Sequence, residues 1–147
     1  MRFLKYRQVR GIMDRDYIEI PFETTMTELR HIVSQHSHDK FVVIDKESKK
    51  FLGRLDYGDL RPHLFGNTDE DPALAGHLLQ SDCPVIFPDS SLLSAMTIIK
   101  EAEVECLPVI DTATETRLVG LLHYKDLLRE YNDALLKLEK DDPEDQK

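Results

Sequence analysis

Three kinds of side chain in this sequence could carry out chemistry: histidines, cysteines and closely spaced aspartates. His31, His36 and His38 lie near the end of a predicted helix. A metal site there would need carboxylate or cysteine partners, and only Asp39 stands at a suitable distance along the chain. Because histidines at a helix end are ordinarily solvated, we predict no metal site.

The cysteines and aspartates also favour structural roles. Cys83 and Cys106 have neither the spacing of zinc ligands nor that of a redox pair, and Cys106 precedes a strand predicted to be buried. Asp56 and Asp59 stand three residues apart at a predicted helix start, where capping and the helix dipole explain them without an acid–base pair. The phosphate-loop, nucleophile-elbow and zinc-protease motifs are absent from the sequence. We therefore predict that the protein is not an enzyme.

The helices and strands that position these residues come from a duplication. Residues 41–60 and 107–127 repeat one pattern: an apolar strand ending in Ile-Asp, a polar turn, a strand containing a glycine, and a helix opening with Tyr-x-Asp-Leu. The match extends backwards at an offset of 66 residues, which an insertion in the second turn changes to 67. Equivalent positions are Ile12 and Leu78, Ile20 and Ile86, Met26 and Leu92, Gly53 and Gly120, and Asp59 and Asp126. Self-similarity of this length predicts two copies of one structural unit.

Each copy is predicted to follow the order short helix, strand, helix, two strands, helix. In the first copy, Thr25 and Glu28 have the capping-box spacing before an apolar helical stripe, and residues 41–44 are apolar enough for a buried strand. In the first copy the predicted elements are a strand at 17–20, a helix at 25–36, strands at 41–44 and 51–55, and a helix at 57–64. In the second copy they are a short helix at 73–79, a strand at 85–87, a helix from Ser91, strands at 107–110 and 117–122, and a helix at 124–140. We predict repeats at 8–65 and 73–135, a linker at 66–72, and a helix end with an acidic tail at 136–147.

Composition and charge narrow the cellular setting. The 147 residues are 41% hydrophobic and 32% charged, as in a soluble globular protein, and every apolar run is far shorter than the roughly 20 residues of a membrane helix. The net charge of −9 divides into +2 up to Gly66 and −11 beyond it, which argues against a nucleic-acid partner because phosphates need a basic face. The basic residues among the first ten are either solvated or lie beside the cytoplasmic face of a membrane. Since the sequence opens without a signal peptide, we expect a cytoplasmic location.

The doubled pattern resembles a tandem pair of CBS domains, the arrangement called a Bateman module, over residues 8 to 135. The resemblance implies an α/β fold of two pseudo-symmetric lobes, each with a small sheet and helices packed on it. Three stretches, Met13-Asp-Arg-Asp16, Leu52–Arg61 and Leu128–Leu135, are most similar to the cytoplasmic C-terminal module of prokaryotic CLC-type chloride channels and antiporters. That similarity implies a transmembrane transport domain upstream and a location at the cytoplasmic face of the inner membrane.

Modules similar to this one bind adenosine nucleotides between the two lobes. The resemblance places Asp59 and Asp126 where the family has the aspartate that holds the ribose hydroxyls, and Asp56 and His123 where it has the serine or threonine that holds phosphate beside a helix N-terminus. As an N-cap, Asp56 would repel phosphate, whereas His123 could donate a hydrogen bond to phosphate or serve only as a polar cap. Four apolar residues complete the predicted nucleotide site: Ile20, Ile86, Phe41 and Leu107.

The predicted function is that of a non-catalytic regulatory module of a CLC-type chloride channel or antiporter. No cofactor is required on this interpretation, and AMP, ADP or ATP is the candidate regulatory ligand. The resemblance also implies a homodimer formed through the helices of the lobes, so the module could act as a dimerisation element where the nucleotide site stays empty. The alternative is a stand-alone or enzyme-linked CBS pair that senses cellular energy and regulates a soluble partner.

Overall fold

The structure is a computed structural model that describes residues 2–36 and 40–141, and it has the α/β architecture that the duplicated pattern predicts. The helices are α1 (Arg2–Tyr6), α2 (Met26–Gln35), α3 (Tyr57–Leu64), α4 (Leu92–Ala102) and α5 (Tyr124–Asp141), and the strands are β1 (Glu19–Pro21), β2 (Lys40–Ile44), β3 (Phe51–Asp56), β4 (Cys106–Ile110) and β5 (Leu118–His123). Short 3-10 turns occur at Val9–Gly11, Thr68–Glu70 and Ala75–His77. Among the described helices, none combines the length and the apolar character needed to cross a bilayer.

The chain divides into two compact units that do not follow the order of the repeats. The α2/α3 unit contains Asp16–Cys83 and Thr112–Leu118. The α4/α5 unit contains the segment up to Arg15, Pro84–Asp111 and the residues from Val119 onward. Each unit therefore includes residues from both repeats. The division into units does not test the predicted repeat boundaries, which stay a prediction.

The α2/α3 unit is built on a three-stranded sheet. β1 pairs in parallel with β2, and β2 pairs antiparallel with β3. The Oγ1 of Thr25 accepts a hydrogen bond from the Glu28 N–H at 3.2 Å, which confirms the predicted capping of α2. The buried core of the unit consists of Ile20, Met26, Leu29, Phe41, Val43, Leu55, Leu60, Leu64 and Ala75.

The α4/α5 unit has a two-stranded sheet, β4 and β5, which Ile86 extends through a parallel bridge to Val109. Ser91 caps α4 by accepting a hydrogen bond from the Ser94 N–H at 3.1 Å. The short α1 packs on α4 and α5 with Leu4 buried, so the N-terminal segment is part of this unit. Its buried core consists of Leu4, Val9, Ile86, Leu92, Ala95, Met96, Ile99, Leu107, Val109, Leu122 and Leu127.

Two equivalent lead-in segments, residues 8–14 and 74–80, each pack against the hairpin of the opposite repeat. In the α4/α5 unit, Asp14 and Leu121 exchange backbone hydrogen bonds of 2.7 and 2.9 Å. In the α2/α3 unit, Gln80 and Arg54 exchange bonds of 2.8 and 3.1 Å. Each lead-in segment thus adds one pairing residue to the free edge of β5 or β3, and this exchange explains why the compact units cross the repeats.

Most predicted elements are confirmed, with differences where a short strand was expected. The helix predicted at 57–64 has those bounds as α3, and the last helix ends one residue beyond its predicted end. The strand predicted at 17–20 is displaced to β1 and includes Pro21, which lies on an edge strand where its missing N–H is tolerated. The strand predicted at 85–87 is reduced to the single bridge at Ile86, and the helix predicted at 73–79 is a 3-10 turn.

Candidate functional site

The first candidate site lies at the start of α5, where β5 ends at His123. The Tyr124 N–H donates to the Glu105 carbonyl at 2.8 Å, which fixes the turn from strand to helix. Asp126 lies in the first turn of α5, where the helix dipole favours a carboxylate. The structure therefore places His123 and Asp126, the two polar residues predicted for the second repeat, at the same helix start.

His123 contacts a carboxylate that sequence reasoning missed. Its Nε2 lies 3.3 Å from the Oδ2 of Asp14, and the two side chains are 20% and 35% exposed. The backbone bridge to Leu121 holds Asp14 in this place. His123 is therefore not a simple helix cap, because its ring faces the lead-in segment.

Asp126 contacts a basic side chain on its own helix. Its Oδ1 accepts a hydrogen bond from the Arg129 Nη1 at 3.2 Å. The Asp126 side chain is 24% exposed and that of Arg129 is 67% exposed. Because this ion pair lies at the surface, it stabilises the helix only weakly, by about 0.5 kcal/mol. A ligand group could displace the arginine at little cost.

The equivalent site at the start of α3 is arranged differently. Asp56 has the backbone conformation of an N-cap, but its side chain makes no capping hydrogen bond, so the prediction that its carboxylate caps the helix is wrong. The Asp56 Oδ1 instead lies 3.6 Å from the Nε of Arg54. That Nε atom is buried and has no hydrogen-bond partner among the described residues, so the nearby guanidinium attracts the Asp56 carboxylate away from the helix terminus.

Asp59 is also engaged by the lead-in segment. Its Oδ2 accepts a hydrogen bond from the Gln80 Nε2 at 2.8 Å, and the Gln80 backbone is itself paired with Arg54. Gln80 and Asp14 are equivalent residues of the two repeats, 66 positions apart. The repeat offset relates these two residues to each other, but it does not indicate that either of them lies beside a helix start.

The four apolar residues predicted for the site lie inside the two cores. Ile20 and Phe41 belong to the α2/α3 core and are 0% exposed. Ile86 and Leu107 belong to the α4/α5 core and are 2% and 0% exposed. Their role in binding a nucleotide stays a prediction.

The remaining chemical candidates do not form a site within the described residues. No group of three histidine, cysteine or acidic side chains there could hold a metal ion, while His38 and Asp39 lie outside the described residues. Cys83 and Cys106 are half-buried and are not joined in a disulfide. Burial raises the pKa of the Cys83 thiol, which makes it a poor nucleophile at neutral pH.

The two helix starts share one chemical character. Each carries an aspartate whose carboxylate can accept hydrogen bonds from a ligand diol, and neither carries a hydroxyl at the preceding position of the predicted motif. Both aspartates already accept a hydrogen bond, from Arg129 in one case and from Gln80 in the other. The two sites are therefore related in backbone but not in their side-chain partners.

The fold and the repeated sites define a tandem-repeat α/β module of the regulatory type. The chain belongs to the CBS domain family, which matches residues 9–66 and again residues 75–133. It is thus a tandem pair of CBS domains, and the expectation of a Bateman module is confirmed.

Individual proteins resemble this chain more distantly. The chloride channel protein CLC-f of Arabidopsis thaliana is 24% identical, over 82% of this chain and 18% of its own length, so the chain spans less than a fifth of that curated relative. The structure of OpuCA from Staphylococcus aureus is 28% identical, with a TM-score of 0.70 over 84% of this chain and 98% of that one. The cytosolic domain of the Mg2+ channel MgtE in complex with ATP is 20% identical, with a TM-score of 0.69 over 84% of this chain and 48% of that one.

Proposed function

We propose that this CBS pair is a non-catalytic cytoplasmic regulatory module of a CLC-type chloride transporter, and that it responds to an adenosyl ligand held at the start of α5. The observation that carries the ligand part is the Asp126 carboxylate in the first turn of α5, whose side-chain partner within the described part of the chain is the exposed Arg129. A carboxylate so placed can exchange the guanidinium for the two hydroxyls of a ribose. AMP, ADP and ATP are the candidate nucleotides.

The attachment to a transporter is supported by the likeness to CLC-f over most of this chain. On this proposal the CBS pair is one part of a longer polypeptide whose other part conducts chloride. Detection of the native protein with an antibody against this 147-residue sequence tests the attachment. A polypeptide well above 17.0 kDa that needs detergent for extraction supports it, and a soluble polypeptide of 17.0 kDa contradicts it.

The second candidate is a stand-alone or enzyme-linked CBS pair that senses cellular energy and regulates a soluble partner. The specific observation in its favour is that this chain covers 98% of the solved OpuCA chain but only 18% of CLC-f. The same detection experiment separates the two functions, because a soluble native protein of the size of this chain supports the second.

Ligand binding is tested by isothermal calorimetry of the purified chain with AMP, ADP and ATP. Saturable binding that is lost in Asp126→Ala supports the proposal. The matched control is Asp133→Ala, which removes an exposed carboxylate from the same helix two turns later and is expected to leave binding unchanged. Equal binding by the Asp126 variant and the unmodified chain would contradict the role of Asp126.

We also propose that two modules associate through their helices. Apolar side chains are exposed on helices of the α4/α5 unit: Leu93 on α4 is 38% exposed, and Leu128 and Leu136 on α5 are 37% and 57% exposed. Burying these side chains against a second copy would remove apolar surface from water. Sedimentation equilibrium should give a dimer for the unmodified chain and a monomer for Leu136→Lys, and a monomer for both would contradict the proposal.

A further inference from the structure

Residues 66–72, the predicted linker between the repeats, are attached to α2 by side-chain hydrogen bonds. The Thr27 Oγ1 donates to the Asp69 Oδ1 at 2.7 Å. The Arg30 Nη1, one turn later on the same helix, donates to the Gly66 carbonyl at 3.1 Å. The linker therefore packs on the α2/α3 unit rather than being solvated along its whole length.

The linker also contacts α3, through His63. The His63 Nδ1 lies 2.9 Å from the Asp71 Oδ2, and the two side chains are 31% and 22% exposed. The other oxygen of the same carboxylate, Oδ1, accepts a hydrogen bond from the Ala73 N–H at 2.9 Å. One carboxylate thus joins α3 to the segment that leads into the second repeat.

Of these contacts, the one from His63 can change its charge near neutral pH. A histidine ordinarily gains its proton between pH 8 and pH 5. The hydrogen bond from the Ala73 N–H, and to a smaller extent the contact with His63, lowers the pKa of Asp71 from its ordinary value, so its carboxylate stays ionised throughout this range. The contact therefore becomes an ion pair as the pH falls, and it remains one until Asp71 is itself protonated.

The other charged groups on the elements packed against α3 have partners of their own or are exposed. The partnered ones are Glu28, bonded to Thr25, Arg30, bonded to Gly66, Arg54 and Asp56, which face each other, Asp59, bonded to Gln80, and Asp69, bonded to Thr27. The exposed ones are His31, Arg61 and Glu70, whose effect on His63 is weakened by solvent and salt. Asp71 is therefore the charged group that gains an ion pair when His63 is protonated.

We infer that the linker is a proton-operated clamp, in which protonated His63 holds Asp71, and with it residues 66–72, more tightly on α3 than the neutral ring does. A mildly acidic solution then restricts the linker and an alkaline one loosens it, without any ligand. Because an ion pair that is partly exposed is weak, the expected change in the opening equilibrium of the linker is about threefold. This inference does not depend on the proposed ligand or on the proposed transporter.

Amide exchange of the full chain, measured by NMR at about pH 5.5 and about pH 8, tests the clamp. The reporter is the Ala73 amide, because its acceptor is the Asp71 carboxylate. After correction for the intrinsic pH dependence of exchange, the protection of this amide should be about threefold higher at the lower pH. The amides of Arg54 and Gln80, which pair with each other in the same unit, should show no such change.

Two variants assign the change to the pair. In His63→Gln the side chain can still form a hydrogen bond but carries no charge, and in Asp71→Asn an amide oxygen can still accept from the Ala73 N–H. In both variants the Ala73 amide should be equally protected at the two pH values. The matched control His31→Gln removes an exposed histidine from α2 and should keep the threefold change.

Equal protection of the Ala73 amide at the two pH values in the unmodified chain overturns the inference. A change that persists in either His63→Gln or Asp71→Asn also overturns it, because the pair would then not be its cause. Each of these results leaves the proposed ligand function as it stands.

Discussion

Replacement of Gly53 by alanine should destabilise the protein because of how closely the lead-in segment approaches β3. A Cβ built at Gly53 would lie 2.6 Å from the Gln80 carbonyl oxygen and 2.8 Å from the Leu79 Cδ1. That oxygen accepts a hydrogen bond from the Arg54 N–H at 3.1 Å. The backbone of Gln80 therefore cannot retreat without weakening the bridge that attaches residues 74–80 to β3.

The magnitude follows from three contributions, two that destabilise the folded protein and one that stabilises it. Overpacking of this kind costs about 1–3 kcal/mol, and a weakened backbone hydrogen bond adds about 1 kcal/mol. Alanine also restricts the unfolded chain more than glycine does, which stabilises the folded protein by about 0.4–1 kcal/mol. We expect Gly53→Ala to lower the free energy of unfolding by about 2 kcal/mol.

The equivalent Gly120 provides a comparison within the same protein. A Cβ there would lie 2.9 Å from the Met13 Sδ and 3.1 Å from its Cγ, with the Asp14 carbonyl oxygen at 3.2 Å. The two closest atoms belong to a flexible side chain that can rotate away. We expect Gly120→Ala to cost about 1 kcal/mol or less.

The matched control is Gly58→Ala in α3. Apart from the adjacent residues and the backbone of α3 itself, no atom of the described residues lies within 4 Å of a Cβ at Gly58, and alanine is the better helix former. Gly58 is in the first turn of α3, where the difference in helix propensity has only part of its full effect. We therefore expect Gly58→Ala to raise the free energy of unfolding by about 0.5 kcal/mol.

The assay is urea unfolding followed by far-UV circular dichroism, since the sequence contains no tryptophan. Hydrogen exchange at the amides of Arg54 and Gln80 adds a local measurement, because both amides should exchange faster in Gly53→Ala. The order of stability should be Gly58→Ala, unmodified protein, Gly120→Ala, Gly53→Ala. A Gly53 variant as stable as the Gly120 variant would refute the reasoning from close approach.

Three further predictions concern single residues. Thr116 has a positive φ of 53°, which is strained for a β-branched residue, so Thr116→Gly should raise the free energy of unfolding by about 0.5–1 kcal/mol in urea, and a loss of stability would contradict this. The hydrogen bond from the Ala73 N–H, and to a smaller extent the contact with His63, lowers the pKa of Asp71 from its ordinary value of 3.8. The ionised carboxylate therefore stabilises the folded protein above pH 3.8, and this contribution is lost as the pH falls through the lowered pKa. Urea titrations at several pH values should show that Asp71→Asn loses less stability below about pH 4 than the unmodified protein does, and an equal loss would count against the assignment. Burial raises the pKa of Cys83 above 9.0, so iodoacetamide should label it at pH 8 more slowly than a cysteine in an unstructured peptide, as followed by mass spectrometry, and equal rates would show that the thiol is not shielded.

The sequence was sufficient to predict the elements whose determinants are local. Thr25 and Glu28 are three residues apart, and this spacing alone predicts their hydrogen bonds without knowledge of any tertiary contact. The bounds of α3 likewise follow from residues within the segment. Because the repeats are equivalent, the same order of elements could be predicted for the second repeat, where Ser91 caps α4.

The partners of the candidate site could not be predicted in the same way. Asp14 and His123 are separated by 109 residues, and no periodicity of either segment indicates that they meet. Asp56 has the residue type and position of an N-cap, but the guanidinium of Arg54, two residues earlier, competes with the helix terminus for its carboxylate. Sequence patterns predict which polar side chains lie at a helix start, while the packing of distant segments determines which of those side chains are in contact.

The two repeats therefore use one backbone arrangement for two different sites. Asp14 and Gln80 pair with equivalent positions of β5 and β3, and a glycine one residue earlier in each strand permits the close approach. Their side chains then diverge, since Gln80 donates to Asp59 whereas Asp14 contacts His123. Asp59 is held by a side chain whose backbone is fixed in the sheet, but Asp126 is held by an arginine that is 67% exposed. Because the exposed pair costs less to break, Asp126 is the aspartate that a ligand could engage at the lower cost in free energy.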